Sequence, residues 1–234
     1  QSCHYGTQVE EYPFLPLEKI VAECRRNEAG GVHRFSIVTA GRSLKGMELE
    51  QALEAYTRLH RESGLKLCAS HGLQTEEEFR RMKEAGILPS FYGLHVWNWG
   101  DRHRDIFLGP DRAKRISPLR SALKRGIPFT SHNDTSVTPM DPLLSVWSAV
   151  NRLTGSGKVL GEDQTVSVLD ALKSVTIWGA YQFHEERMKG SLEPGKLADM
   201  VILGENPLEI APERIRDIPI LATLVGNRLV YGSL

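Results

Sequence analysis

Apolar and polar positions alternate along this chain with two periods, and the period switches repeatedly. From Leu17 to Gly30 the residues Leu17, Ile20, Val21 and Cys24 share one helical face, with charges opposite and a Gly30-Gly31 stop. Phe35 to Thr39 then reads as a short strand, and Met47 to Ser63 returns to helical spacing through Leu49, Leu53, Tyr56 and Leu59. Leu65 to Ser70 is the next strand, ending in His71-Gly72. Thr75 and Glu78 form a capping box that opens a helix from Glu76 to Ala85, which Gly86 ends. Leu88 to Tyr92 is a third strand, ending near His95. Val96 to Asp105 has two indoles among dense polar groups and reads as a long loop, either a lid or pocket wall or a surface loop pinned by its tryptophans. Pro118 to Arg125 is a helix, and Phe129-Thr130 starts a strand that runs into the polar stretch Ser131 to Thr135. Asp141-Pro142 opens a helix to Leu153 with Leu143, Val146, Trp147 and Val150 inward, and Ser167 caps another from Val168 to Trp178.

Four strand-helix pairs in succession imply parallel strands joined by right-handed crossovers. The expected fold class is α/β, with residues 1–188 forming about half of a (β/α)8 barrel. From Lys189 the texture changes to a turn-rich segment. Strands follow at Met200 to Leu203, Pro219 to Val225 and Arg228 to Tyr231, the last two joined by a Gly226-Asn227 hairpin turn. Residues 189–234 are therefore expected as a β-rich tail belonging to a sandwich.

Composition narrows the function classes. Lys plus Arg and Asp plus Glu are 29 each, so no overall field draws in nucleic acid or an anionic membrane. The three cysteines, Cys3, Cys24 and Cys68, are too few and too widely spaced for a disulfide framework or a Cys-x-x-Cys metal site. A reducing, cytoplasmic setting is expected. No apolar run approaches the ~20 residues of a membrane span. The opening Gln1 to Gly6 resembles the middle of something longer, and exposed parallel edges on a half barrel recruit a partner. An N-terminal half, a partner subunit or self-association into an oligomer is the expectation.

The candidate chemistry falls on one edge, where parallel folds gather their ligand-binding groups. Thr39-Ala40-Gly41, His71, His95, and His132 with Asp134 all terminate strands. Imidazoles and a carboxylate from separate strands make an incomplete site for Zn²⁺ or a similar divalent metal. Each histidine read singly is also compatible with a hydrogen-bonded packing role, and Asp134 with a turn cap.

The tail Gly190-Ser191-Leu192-Glu193-Pro194-Gly195-Lys196-Leu197-Ala198-Asp199-Met200-Val201-Ile202-Leu203 closely resembles the segment by which metal-dependent amidohydrolases return from barrel to sandwich. Trp99-Gly100-Asp101-Arg102-His103, Asp141-Pro142-Leu143 and Val175-Thr176 are similar to the YtcJ-like branch, which includes N-substituted formamide deformylases. The resemblance implies a hydrolase of non-peptide C–N bonds in a small amide-like substrate, with a metal-activated water. It implies His71 and Asp134 as metal ligands, Asp134 also as the base, and His95 as the holder of the developing oxyanion. His132, Trp97, Trp99, Asp101 and Arg102 would line the substrate side. The chain departs from the pattern in two ways. The early His-x-His strand is missing, and Val38 and Arg42 stand where a fifth-strand His and an acid are usual. Three readings follow: part of an enzyme that needs its other half, a relative that has lost its ligands and serves binding or assembly, or an α/β module gripping an apolar ligand with Trp97 and Trp99.

Overall fold

The computed structural model describes residues 13–39, 44–71, 76–84 and 88–233. The chain divides into two compact units, Gln1–Ile87 and Leu88–Leu234. No helix among the described residues is long and apolar enough to cross a membrane.

In the first unit, α1 (Leu17–Ala29) packs on α2 (Gly46–Glu62) because both carry the apolar stripe that their periodicity announces. Ile20, Val21 and Cys24 bury against Leu49, Ala52, Ala55, Tyr56 and Leu59. Gly31 closes α1 with φ +76°, a conformation that costs glycine nothing, and its N–H donates to Glu28 O. Beside the helices, β1 (Arg34–Val38) and β2 (Lys66–Ser70) pair in parallel, with Ser36 opposite Cys68. α3 (Glu76–Glu84) follows. Thr75 of the expected capping box, Gly72, Gly86, and the Ala40 to Arg42 segment lie outside the described residues.

The second unit opens with β3 (Ser90–Tyr92), which pairs in parallel with β4 (Thr130–His132). Between them run α4 (His95–Arg102), a π turn (His103–Phe107), α5 (Pro110–Ala113) and α6 (Leu119–Lys124). The expected long loop from Val96 to Asp105 is thus helical. Its Trp, Asn and Gly residues are weak helix formers, but packing overrides them. Val96 is buried with Ala113, Ile116 and Leu160, and Gly100 lies so close to Thr154 that an added Cβ would stand 2.8 Å from its Cγ2. After β4, Asp141 caps α7 (Pro142–Asn151) by accepting from Leu144 N–H at 3.0 Å, as the Asp-Pro pair predicts. Ser167 likewise caps α8 (Val168–Ser174), accepting from Asp170 N–H. The single helix expected from Val168 to Trp178 is broken, with α9 (Ile177–Gln182) restarting after Thr176. The tail forms an antiparallel sheet in the order β5 (Met200–Leu203), β6 (Ile220–Val225), β7 (Arg228–Gly232). Gly226 and Asn227 take φ +54° and +63°, the paired positive values a two-residue hairpin requires. This sheet belongs to the second unit, tied to α7 by Trp147 Nε1–H donating to Glu213 O and Asn151 Nδ2–H to Pro212 O.

Candidate active site at the ends of β3 and β4

The parallel pairing sets the site. Register places Tyr92 beside His132, and Gly93 N–H donates to His132 O at 2.9 Å, so both strands end at the same level. Beneath them Phe91, Phe129 and Trp178 pack edge to face or tilted, with Phe129 fully buried. Gly93 permits the turn into α4 to press on α7, since a Cβ there would meet Ser145 Oγ at 2.9 Å. Asn133 braces the other strand end, donating to Asp141 O and Ser145 Oγ, while Thr138 Oγ1–H donates to Asn133 O.

On this floor stand three imidazoles. The Tyr92 ring stacks on His95 at 5.6 Å and on His132 at 5.9 Å. His95 Nε2 lies 2.8 Å from His103 Nε2, with the rings edge to face. Burial, followed by the nearby His103, Arg152 and His132, pushes His95 down to about 4. Burial also lowers His103, and it lowers His132 against the opposing pull of Asp134. All three are therefore neutral at physiological pH. Asp134 sits two residues beyond β4 in the left-handed region (φ +52°), a conformation Asp tolerates better than most residues. Its carbonyl accepts from Val137 N–H, and its side chain is exposed beside His132.

The other expected binding residues have local duties. Asp101 accepts from Ser156 N–H at 2.9 Å and Ser156 Oγ–H at 2.8 Å and pairs with Arg104. Its carboxyl feels burial pushing up, outweighed by the hydrogen bonds from Ser156, Thr154 and Arg104, which hold it below its ordinary value. Arg102 lies over the Trp99 ring at 5.1 Å. Trp97 is partly buried, and its carbonyl lies close under Gly155.

Sequence reasoning missed Arg152. It is 1% exposed and donates to the carbonyls of Leu160 (2.8 Å), Ile116 (2.8 Å), Ser117 (3.0 Å) and Lys114 (3.5 Å). Burial lowers it to about 10, so it stays charged and helps hold His95 neutral. No sequence pattern separates it from a solvated arginine. His103 had a visible signal, eight residues from His95 in the same helical segment.

His71 lies in the first unit, 7% exposed. Its Nε2 is 2.8 Å from Tyr56 Oη and its Nδ1 3.1 Å from Thr39 Oγ1, so both ring nitrogens already have protein partners. Among the described residues no group of three or more His, Cys, Asp or Glu side chains could hold a metal ion. The described residues alone therefore do not fit a resident metal.

The fold and this site define an α/β protein with a cluster of imidazoles at parallel strand ends. A model of the amidohydrolase family matches residues 3–231, and the chain belongs to that family. Solved structures with the same fold include an uncharacterized metal-dependent hydrolase from Pyrococcus horikoshii OT3, at TM-score 0.63 and 23% identity over 85% of this chain and 39% of that one. A Xaa-Pro dipeptidase aligns at TM-score 0.62 and 17% identity, over 98% and 64% of the two chains. The Aspergillus niger ochratoxinase aligns at 0.64 and 18%, over 93% and 55%. Among curated proteins the chain is similar in part to biotin synthases. It is 48% identical to that of Clostridium beijerinckii over 87 residues (37% of this chain, 28% of the relative). It is 52% identical to that of Alkaliphilus metalliredigens, also over 87 residues (37% and 27%). The chain thus spans under a third of the length of these two relatives.

Proposed function

We propose that this chain is part of a metal-dependent hydrolase that cleaves a non-peptide C–N bond of the amide or formamide type. The observation that carries the reading is the parallel β3–β4 pair, which delivers His95, His132 and Asp134 to one strand edge in a chain of the amidohydrolase family. The exposed Asp134 carboxylate takes the proton of the attacking water and returns it to the leaving nitrogen. Neutral His95 donates a hydrogen bond to the oxygen on which charge develops, a contact worth roughly 3 kcal/mol in a water-poor site. His132 orients Asp134, and Trp97 and Trp99 flank the substrate side.

The metal that such hydrolases use polarises the carbonyl and acidifies water. On this reading an N-terminal half or a partner subunit supplies further ligands and completes the barrel. The test combines zinc content with turnover. The chain, alone and supplemented with its N-terminal half, is dialysed against zinc and assayed on an N-formyl amine, an N-acyl amine and an Xaa-Pro dipeptide. Zinc retention and N-formyl or N-acyl hydrolysis only in the completed protein, both lost in Asp134→Ala, support the reading. Dipeptide cleavage alone moves the substrate class to peptides, and a metal-free, folded, completed protein leaves a non-catalytic binding or assembly subunit.

A second reading rests on the biotin synthase matches, whose 48% and 52% identity over 87 residues far exceeds that of any aligned hydrolase structure named above. On this reading the first unit, with its described order β1, α2, β2, is biotin-synthase-like, and His71 ties the two strand ends through Tyr56 and Thr39 rather than binding metal. His71→Ala decides: zinc retained by the completed protein supports this assignment, and zinc lost restores His71 as a ligand.

A further inference from the structure

We propose that His103 is a positioning residue that fixes His95 as the Nδ1–H tautomer, so that His95 presents a donor rather than a bare lone pair to the substrate. The inference deepens the reading of His95 given above and rests on it only for the role of the exposed proton.

Two Nε2 atoms 2.8 Å apart form a hydrogen bond only if one carries a proton and the other does not. Burial disfavours a charged ring at either position, so each imidazole carries one proton in all. Two arrangements remain. If His95 donates, His103 accepts at Nε2 and must carry its own proton on Nδ1.

That second nitrogen decides between them. His103 Nδ1 is buried with no hydrogen-bond partner. A sealed N–H without an acceptor costs the full desolvation of a donor, whereas an unfilled acceptor is tolerated more often. His103 therefore keeps Nδ1 bare and donates through Nε2, and His95 accepts at Nε2 and holds its proton on Nδ1. Nδ1 of His95 is not among the sealed, unpartnered atoms. The geometry is built for this arrangement. His103 ends α4 and opens the π turn His103–Phe107, a wide turn often found at functional sites, and Phe107 packs edge-on against its ring.

The proposal is tested by long-range 1H–15N correlation of the histidine rings in the whole chain at neutral pH, with His95 assigned by its loss in His95→Asn. The expected spectrum shows His95 protonated at Nδ1 and bare at Nε2, with His103 the reverse. In His103→Phe, which keeps a ring but has no donor, the His95 proton moves at least partly to Nε2. In His103→Gln, whose amide N–H can donate, the Nδ1–H form returns. Wild-type His95 protonated at Nε2 overturns the proposal on its own, without any variant that must fold. An unchanged tautomer in a folded His103→Phe also overturns it. Because the readout needs neither metal nor turnover, failure of the hydrolase reading leaves this result standing, and the reverse also holds.

Discussion

Arg152 is the residue whose loss the structure predicts most sharply. Its guanidinium makes three hydrogen bonds of 3.0 Å or less, to the carbonyls of Leu160, Ile116 and Ser117, and a longer one to Lys114 O. It thereby clamps the connection between α5 and α6 against the strand-like return after α7. Gly161 shows how tight the clamp is, since a Cβ there would stand 3.1 Å from Arg152 Nη2 and 2.1 Å from Lys114 O. Arg152→Met keeps much of the stem and removes every donor. Three charge-assisted bonds at about 1.5 to 3 kcal/mol each set the gross loss. Relief of the buried charge's desolvation offsets part of it, leaving a net destabilisation of about 3 kcal/mol. All four tryptophans, Trp97, Trp99, Trp147 and Trp178, lie in the second unit, so indole fluorescence reports that unit alone. With a urea slope near 2 kcal/mol/M, the fluorescence midpoint should fall by about 1.5 M. Arg152→Lys should recover only part of this, because one ammonium cannot fork to three carbonyls. A midpoint for Arg152→Met within about 0.3 M of the wild type would refute the assignment of Arg152 as a structural clamp.

Three further outcomes are expected. His95 titrates near 4 in the folded chain and near 6.5 when unfolded, so the unfolded state binds more protons between those values. Stability is therefore full above about pH 6.5 and falls by about 3 kcal/mol on acidification to pH 4, a slope that His95→Asn should flatten in urea titrations at stepped pH. Gly100→Ala forces a methyl into Thr154 and Leu160 and should cost about 1 to 3 kcal/mol by the same fluorescence assay. Asp101→Ala frees the Thr154 to Gly157 turn from α4 and should lower stability by about 1 to 2 kcal/mol. A stable Asp101→Ala protein with weakened substrate binding would instead return Asp101 to the substrate pocket.

The elements with a strong local signature were legible in the residues themselves. Leu17, Ile20, Val21 and Cys24 announced α1, Asp141-Pro142 the start of α7, Ser167 with Asp170 the start of α8, and Gly226-Asn227 the hairpin between β6 and β7. In each case a short-range preference and the folded state agree. Asp134 likewise falls beyond a short strand, because the switch from apolar to polar residues marks where a strand leaves the core, whereas His132, expected in the loop, is the last residue of β4 and pairs with Tyr92.

Only tertiary structure decided the rest. Val96 to Asp105 is helical because Val96 and Gly100 find a wall of Ala113, Thr154 and Leu160, against the grain of its own propensities. Arg152 is buried because four carbonyls from distant segments meet at its head, and Asp101 serves a turn more than fifty residues away. Sequence spacing carries information about neighbours along a helix or strand. Which imidazole meets which, and which nitrogen is left to hold a proton, depends on contacts that exist only once the chain has closed on itself.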